Sequence, residues 1–350
     1  MRIAVLGLNH GYTFASEALK MKGLTLVAVA GNDQLAMNRS KELGVTHYQD
    51  YKQLIDENEL DGVIITLPNR LHKEAVFYCA DRGIHCLVEK PIADEIEQGK
   101  EMVSYCQEKQ VKLLVGHHRR FSSQMKQLKT LLDEGIIGDL IGVNMVWVLA
   151  KDRPYFEAEW RINAGGGPLL INGIHDIDNL RYVTGLDIES VYAIGKNNIR
   201  GNKVEDSVSA VLEASNGATV NYYLSDGIPS PWSYEFNLKE NAKYHFYDED
   251  CYYFFGTKGS LAFPSFRLFT YADDAYGWEH PLVKSNFSTM EKLDPIVAEL
   301  THFIKVLKGV EEPLVTGQEG VKTLEVLEAM RRSLVEKRRV ELNEGSSVKG

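Results

Sequence analysis

The sequence predicts an α/β protein of two parts. The first is an N-terminal doubly wound parallel sheet; the second is a C-terminal α+β domain on a large open, mainly antiparallel sheet. Three observations carry this. Short apolar runs alternate with amphipathic helical stretches through residue 120, as strands covered on both faces require. After Arg120 the pattern changes to strand-like runs joined by glycine turns. The chain has 350 residues, more than one core comfortably holds. The boundary falls at 120, giving domains 1–120 and 121–350.

Taken in order, residues 3–6, 24–30, 63–67, 85–88 and 111–115 are Val/Ile/Leu-rich and short enough for strands. Helical periodicity occupies 14–22, 34–43, 51–57, 73–82 and 96–109. Beyond Arg120 a helix at 123–134 precedes a strand at 141–149. Gly165-Gly166-Gly167 then opens a helix at 169–184. From Ile188 the chain reads as strands, at 204–214, 218–224, 234–238, 244–255 and 266–271, with turns at Asn216-Gly217 and Lys258-Gly259. Two helices close the chain. One starts at Asp294-Pro295, a cap followed by proline at the first helical position, and one at Thr316, with Glu319 completing a capping box.

Composition excludes several function classes. Thirty-nine basic against 49 acidic residues give a net charge of −10, with a pI near 5.6. That balance opposes phosphate-backbone binding, so no nucleic-acid partner is expected. No apolar run reaches the roughly 18 residues of a membrane helix. The N-terminus enters a strand directly without a signal core. Cys79, Cys86, Cys106 and Cys251 lack CxxC spacing and scaffold density, and read as reduced thiols of a cytoplasmic protein. No metal site is expected, because adjacent His117 and His118 on a strand tip face opposite ways and no ligand set accompanies them.

Gly7-Leu8-Asn9-His10-Gly11-Tyr12 ends the first strand and opens the first helix. A Rossmann fold binds a dinucleotide pyrophosphate at this place, on backbone N–H groups at a helix N-terminus. Asn9 and Tyr12 replace the second and third glycines; Asn9 tolerates positive φ, and Gly11 offers backbone freedom one position early. A tight strand–helix turn without a ligand is the alternative. At the second strand tip Ala30 stands where an NAD-specific site has an acid, with Asn32 and Asp33 following and Arg39 further along. The cofactor is NAD or NADP; these residues leave the choice open.

Thr66-Leu67-Pro68-Asn69-Arg70-Leu71-His72, Val88-Glu89-Lys90-Pro91, Gly116-His117-His118-Arg119-Arg120-Phe121, Trp160-Arg161, the run from Gly165 through His175 to Asp178, and Gly256-Thr257-Lys258-Gly259-Ser260 come in one order and spacing. Together they resemble the Gfo/Idh/MocA family, the oxidoreductases related to glucose–fructose oxidoreductase and inositol dehydrogenase. The resemblance covers essentially the whole chain. It implies a nicotinamide cofactor and a sugar, polyol or related hydroxy-compound as substrate. It assigns Lys90 to the reacting hydroxyl and His175 to acid/base work, and it predicts a cis Lys90–Pro91 peptide. It places Gly7, Asn9, His10, Gly11, Asn32, Pro68, Asn69, His72, Glu89, Lys90 and Arg161 around the cofactor. Many members carry an aspartate four residues before the helix histidine; here Ile171 stands there, and Asn172, three residues before His175, shares its helix face. Asn172 is the third catalytic candidate, orienting substrate without acting as a base.

The chemistry of these residue types agrees. Alcohol oxidation loses a proton from oxygen as hydride leaves carbon; an ammonium stabilises the developing alkoxide and an imidazole passes the proton on. Without the resemblance, Lys90 reads equally as a surface lysine paired with Glu89, and His175 as a packed helix histidine. Tyr222, Tyr223, Trp232, Tyr234 and Phe236 read alone as sheet core, and with the family as a subunit face. A homodimer or homotetramer through the second-domain sheet is the expected assembly. Two alternatives accompany the dehydrogenase reading. One is a glycosidase or sugar–sugar oxidoreductase that recycles its bound nicotinamide. The other is a non-catalytic nucleotide-sensing regulator, against which Lys90 and His175 argue, since a sensor needs neither.

Overall fold

The alternating runs fold as the expected βα units. A computed structural model describes residues 1–163, 165–272, 275–288 and 290–342. Its N-terminal elements are β1 (Arg2–Leu6), α1 (Gly11–Lys20), β2 (Thr25–Ala30), α2 (Gln34–Leu43), β3 (Thr46–Tyr48), α3 (Tyr51–Glu57), β4 (Gly62–Ile65), α4 (His72–Ala80), β5 (His85–Glu89), α5 (Ile96–Glu108) and β6 (Leu113–Gly116). The six strands pair in parallel in the order β3-β2-β1-β4-β5-β6. The order turns back beside β1, which opens a crevice at the strand C-termini. Successive residues of β1 serve opposite layers. Ile3 and Val5 pack with Phe14 and Ala18, while Ala4 and Leu6 join the cluster of Val76 and Met102. The three-residue β3 was not expected; Thr46-His47-Tyr48 has no apolar run to announce it.

The remaining elements are α6 (Ser123–Asp133), β7 (Leu140–Val148), α7 (Ile174–Thr184), β8 (Ile188–Lys196), β9 (Ser207–Ala214), β10 (Thr219–Ser225), α8 (Tyr234–Asn237), β11 (Tyr252–Gly256), β12 (Gly259–Phe263), β13 (Arg267–Tyr271), β14 (Leu282–Asn286), α9 (Pro295–Leu307), α10 (Gly317–Glu336) and β15 (Val340–Glu341). Nine strands form one sheet in the order β14-β13-β12-β11-β7-β10-β9-β8-β15. Only β7 and β10 run parallel; the other pairs are antiparallel. Its inner face buries Met145, Trp147, Leu212 and Phe254 in one core with Ile177 and Leu180 of α7.

The chain divides into a first unit of Met1–Phe121 with Leu293–Leu324 and a second of Ser122–Lys292 with Glu325–Gly350. The expected boundary at 120 therefore accounts for the first crossing only. Phe303 and Leu307 of α9 pack against Gly62 of β4, where a Cβ would lie 2.9 Å from either side chain. An apolar helix face does not say which sheet it covers. The helix starts behave as read. Asp294 accepts from the N–H groups of Ile296 and Val297, and Thr316 Oγ1 accepts from Glu319 N, whose carboxylate accepts from Arg120.

Three expectations in the second unit are corrected. Residues 234–238 form α8 instead of a strand, because the Ser233 hydroxyl caps Phe236 N and starts a helical turn. In the 244–255 run, pairing begins only at Tyr252, opposite Met145 of β7; Tyr244, Phe246 and Tyr247 stay exposed. The helix expected from 169 opens with a π turn, Leu169–Gly173, before α7. The aromatic group also divides. Tyr222 and Tyr234 are buried, Phe236 is half-buried, Trp232 lies outside the strands, and Tyr223 alone of the five is on the open sheet face. Tyr192, Ile194, Val211 and Phe255 join it there.

Candidate functional site

The first unit gathers its candidates at the C-terminal ends of β1, β2, β4 and β5. Gly7 has φ +89°, and a Cβ on it would lie 2.6 Å from Thr66 O; the loop touches the β4 tip so closely that only glycine fits. Gly11 is the first residue of α1, and a Cβ there would meet Thr66 Oγ1 at 2.5 Å. It serves close helix–strand packing, and neither it nor Asn9 adopts positive φ, contrary to the backbone freedom expected of them. Thr66 Oγ1 donates to Gly7 O at 2.7 Å and completes the clasp. No side chain caps α1 at His10, so its first N–H groups point out from the loop. This arrangement fits a dinucleotide pyrophosphate.

At the β5 tip Glu89 is buried and takes an ion pair from His10 Nε2 at 3.3 Å. Burial by itself would raise the Glu89 carboxyl, but the His10 hydrogen bond and charge, with Lys90 and His118 adding theirs, hold it down to about 2. The same bond raises His10 against its burial. Lys90 N donates to Glu89 Oε2 at 3.1 Å, and the Lys90–Pro91 peptide is cis, as the resemblance predicts. Pro68 and Asn69 are exposed at the β4 tip and Asn32 at the β2 tip. His72 lies deeper than a cofactor contact: it is fully buried, with Nε2 2.9 Å from Leu67 O and Nδ1 3.1 Å from Pro91 O. It straps the β4 and β5 tips together, and burial lowers its basicity.

In the second unit Asn172 lies on the turn leading into α7 and His175 on the first residues of that helix. His175 is buried, and Asn172 Oδ1 accepts from Lys151 Nζ at 2.7 Å. Lys151, in the segment 150–163 that follows β7, has no motif around it to single it out. Its Nζ lies 3.4 Å from Tyr155 Oη, 3.3 Å from the buried Asp226 carboxylate and 4.4 Å from the centre of the Tyr155 ring. Burial lowers the Lys151 ammonium, with Asp226 opposing. Arg200 pairs with the same aspartate and stacks on Phe156 at 4.0 Å. Arg161 stacks on Tyr155 at 4.0 Å and donates to Tyr155 O at 2.7 Å. Lys151, Tyr155, Arg161 and Asn172 thus form one connected polar group.

Behind that group, Asp176 is fully buried and accepts from Tyr222 Oη at 2.8 Å and Tyr252 Oη at 2.6 Å. These bonds fix the start of α7 to β10 and β11, and so the place of His175. The glycine turn before it has a steric cause. A Cβ on Gly166 would run into Trp160 O, and one on Gly167 into the Glu205 carboxylate. Arg181 of α7 donates to Asp187 at 3.1 Å.

Residues 1–117 match the profile described as the oxidoreductase family with an NAD-binding Rossmann fold, and residues 125–262 that of the GFO/IDH/MocA C-terminal domain. A myo-inositol 2-dehydrogenase of Thermotoga maritima is 28% identical over 98% of this chain and 99% of its own. In fold, the chain is similar to scyllo-inositol dehydrogenase from Lactobacillus casei, solved with NAD(H) and scyllo-inositol, at a TM-score of 0.77 and 20% identity over 98% and 99% of the two chains. A myo-inositol 2-dehydrogenase from Lactobacillus plantarum gives 0.78 and 22%, over 97% and 99%.

Proposed function

The chain belongs to the GFO/IDH/MocA family of NAD(P)-dependent oxidoreductases, and from this premise we propose that it transfers a hydride between a nicotinamide dinucleotide and a secondary hydroxyl of a sugar or polyol. The observation that carries the reading is the convergence of the Gly7 loop with the Glu89-Lys90-Pro91 tip on one sheet edge at the reversal of strand order. When bound, the nicotinamide gives or takes the hydride.

The chain's own residues handle the oxygen and its proton. Lys90 Nζ holds the reacting hydroxyl, and its charge stabilises the oxygen as it becomes alkoxide-like. His175 takes the proton in oxidation and returns it in reduction. Asn172, its carbonyl occupied by Lys151, presents amide N–H donors to a second substrate oxygen. Tyr155 and Arg161 line the same group and favour a polyhydroxylated substrate, whose oxygens match such donors. Gly7, Asn9, His10, Gly11, Asn32, Pro68, Asn69 and Arg161 contact the cofactor, with Glu89 and His72 positioning them.

The open face of the nine-stranded sheet reads as a subunit interface in a homodimer or homotetramer: Tyr192, Ile194, Val211, Tyr223 and Phe255 leave a row of apolar side chains exposed. Four buried cysteines, none in a disulfide among the described residues, suit a reducing cytoplasm. The deciding experiment titrates the protein with NADH and NADPH by calorimetry, then follows nicotinamide absorbance over a panel of inositols, polyols and aldoses. Micromolar cofactor binding with turnover of one of these classes is expected; absence of any dinucleotide binding at millimolar concentration overturns the reading.

A further inference from the structure

We infer that the adenosine end of the cofactor site is built for a 2′-phosphate, and that Arg39 selects it, so that the enzyme prefers NADP(H) to NAD(H). The inference rests on the dinucleotide reading above and adds which dinucleotide the site takes.

In this fold the choice is made where the β1–α1 loop faces the tip of β2. A carboxylate there accepts from the ribose 2′-OH and repels a 2′-phosphate, whereas an arginine accommodates the phosphate. The tip here is Ala30-Gly31-Asn32, without a carboxylate. The tip is also held in place, since Gly31 N donates to Tyr48 O at 3.0 Å and His47 Nε2 lies 2.8 Å from Gly31 O. Asp33, the next acid, is committed elsewhere. It is the N-cap of α2, and its carboxylate accepts from Ala36 N at 2.7 Å, against the positive end of that helix.

Arg39, which sequence reading left without a place, returns from α2 to the glycine loop. Its Nη1 donates to Leu8 O at 2.5 Å and to Asn9 O at 2.8 Å, and its guanidinium carbon lies 5.0 Å from the centre of the Tyr12 ring. Among the described residues it has no carboxylate partner, and its Nε and Nη2 donors have no hydrogen-bond partner. A half-buried guanidinium, anchored on one nitrogen and braced on an aromatic ring, keeps free donors in the fork geometry that matches phosphate oxygens. The arrangement also gives Tyr12 a purpose: where the third glycine of the fingerprint would stand, it supplies the surface on which Arg39 rests.

The test uses fragments lacking nicotinamide, so that turnover plays no part. Adenosine 2′,5′-bisphosphate and ADP are titrated calorimetrically into the full chain, alongside NADPH and NADH. The 2′-phosphorylated ligand of each pair should bind at least tenfold more tightly. Arg39→Met should weaken it by about 10- to 100-fold, the value of losing charge-assisted bonds, while leaving ADP and NADH within threefold. Asn32→Asp, which places a carboxylate at the tip without touching Arg39, should reverse the preference and covers the case in which Arg39→Met unsettles the loop. Binding of both dinucleotides with equal affinity, or with NADH ahead, overturns this inference and leaves the dinucleotide reading standing. Binding of neither overturns both.

Discussion

Lys151 shows how a candidate site residue stays invisible until its neighbours are known. Its ammonium is drawn into a group with Asn172, Tyr155 and Asp226 that come from separate parts of the chain. The replacement of the usual helix aspartate by Ile171 removes an ionisable group four residues before His175, and Asn172 with Lys151 supplies hydrogen bonding close by instead. Variant kinetics separate the roles. Lys90→Met should reduce kcat by about 10²–10³ while leaving cofactor affinity nearly unchanged, because the stem's bulk stays and only the electrostatic donor goes. His175→Ala should reduce kcat by about 10²–10⁴ and flatten the pH–rate profile near neutrality. Asn172→Ala should raise KM more than it lowers kcat, since an amide orients without taking a proton. Steady-state kinetics across pH check the pattern. A large kcat loss for Asn172→Ala beside a mild one for His175→Ala would reassign the proton transfer.

At the scale of elements, what positions His175 is a buried carboxylate one residue on. Asp176 is fully buried and accepts two tyrosine hydroxyls, one from β10 and one from β11. Asp176→Ala removes the acceptor of both hydroxyls and should cost about 1–3 kcal/mol for each, whereas Tyr222→Phe removes a single hydroxyl and should cost about 1 kcal/mol. Urea unfolding measures both. Equal costs would mean that α7 is held by apolar packing alone. The same scale explains which elements were legible. The helix beginning at Pro295 announced itself through Asp294, a local signal whose hydrogen bonds formed as expected. The 234–238 run alternated like a strand, yet Ser233 capped it into α8, because alternation reports which side chains are buried and not whether a partner strand is present.

For the whole molecule, the open sheet face is the proposed subunit interface. Val211 and Tyr223 are exposed on β9 and β10, in the middle of the nine-stranded sheet. A lysine in place of either puts an unpaired charge in the centre of the proposed interface, where desolvation is costly. Val211→Lys and Tyr223→Lys should dissociate the oligomer to a monomer at micromolar concentration while each chain keeps its circular dichroism spectrum. Light scattering reads the outcome; a wild-type protein that is already monomeric would falsify the interface.

The sequence by itself determined the doubly wound sheet, the turn from parallel to antiparallel grammar after Arg120, the helix caps and the Gly7 loop, whereas Glu89, Lys90, Asn172 and His175 stood out only through the family resemblance. Each is written locally, in a periodicity, a cap or a short motif, and local physics is read from neighbours in the chain. The tertiary structure alone decided that α9 covers β4, that Tyr222 serves Asp176 and not the open face, that His72 straps two loop tips from behind, and that Arg39 lies on the glycine loop. Each of these turns on contacts between residues that packing brings together from different elements. No spacing in the chain encodes such a contact, because the partner is chosen by which surfaces remain to be buried once the sheets have formed.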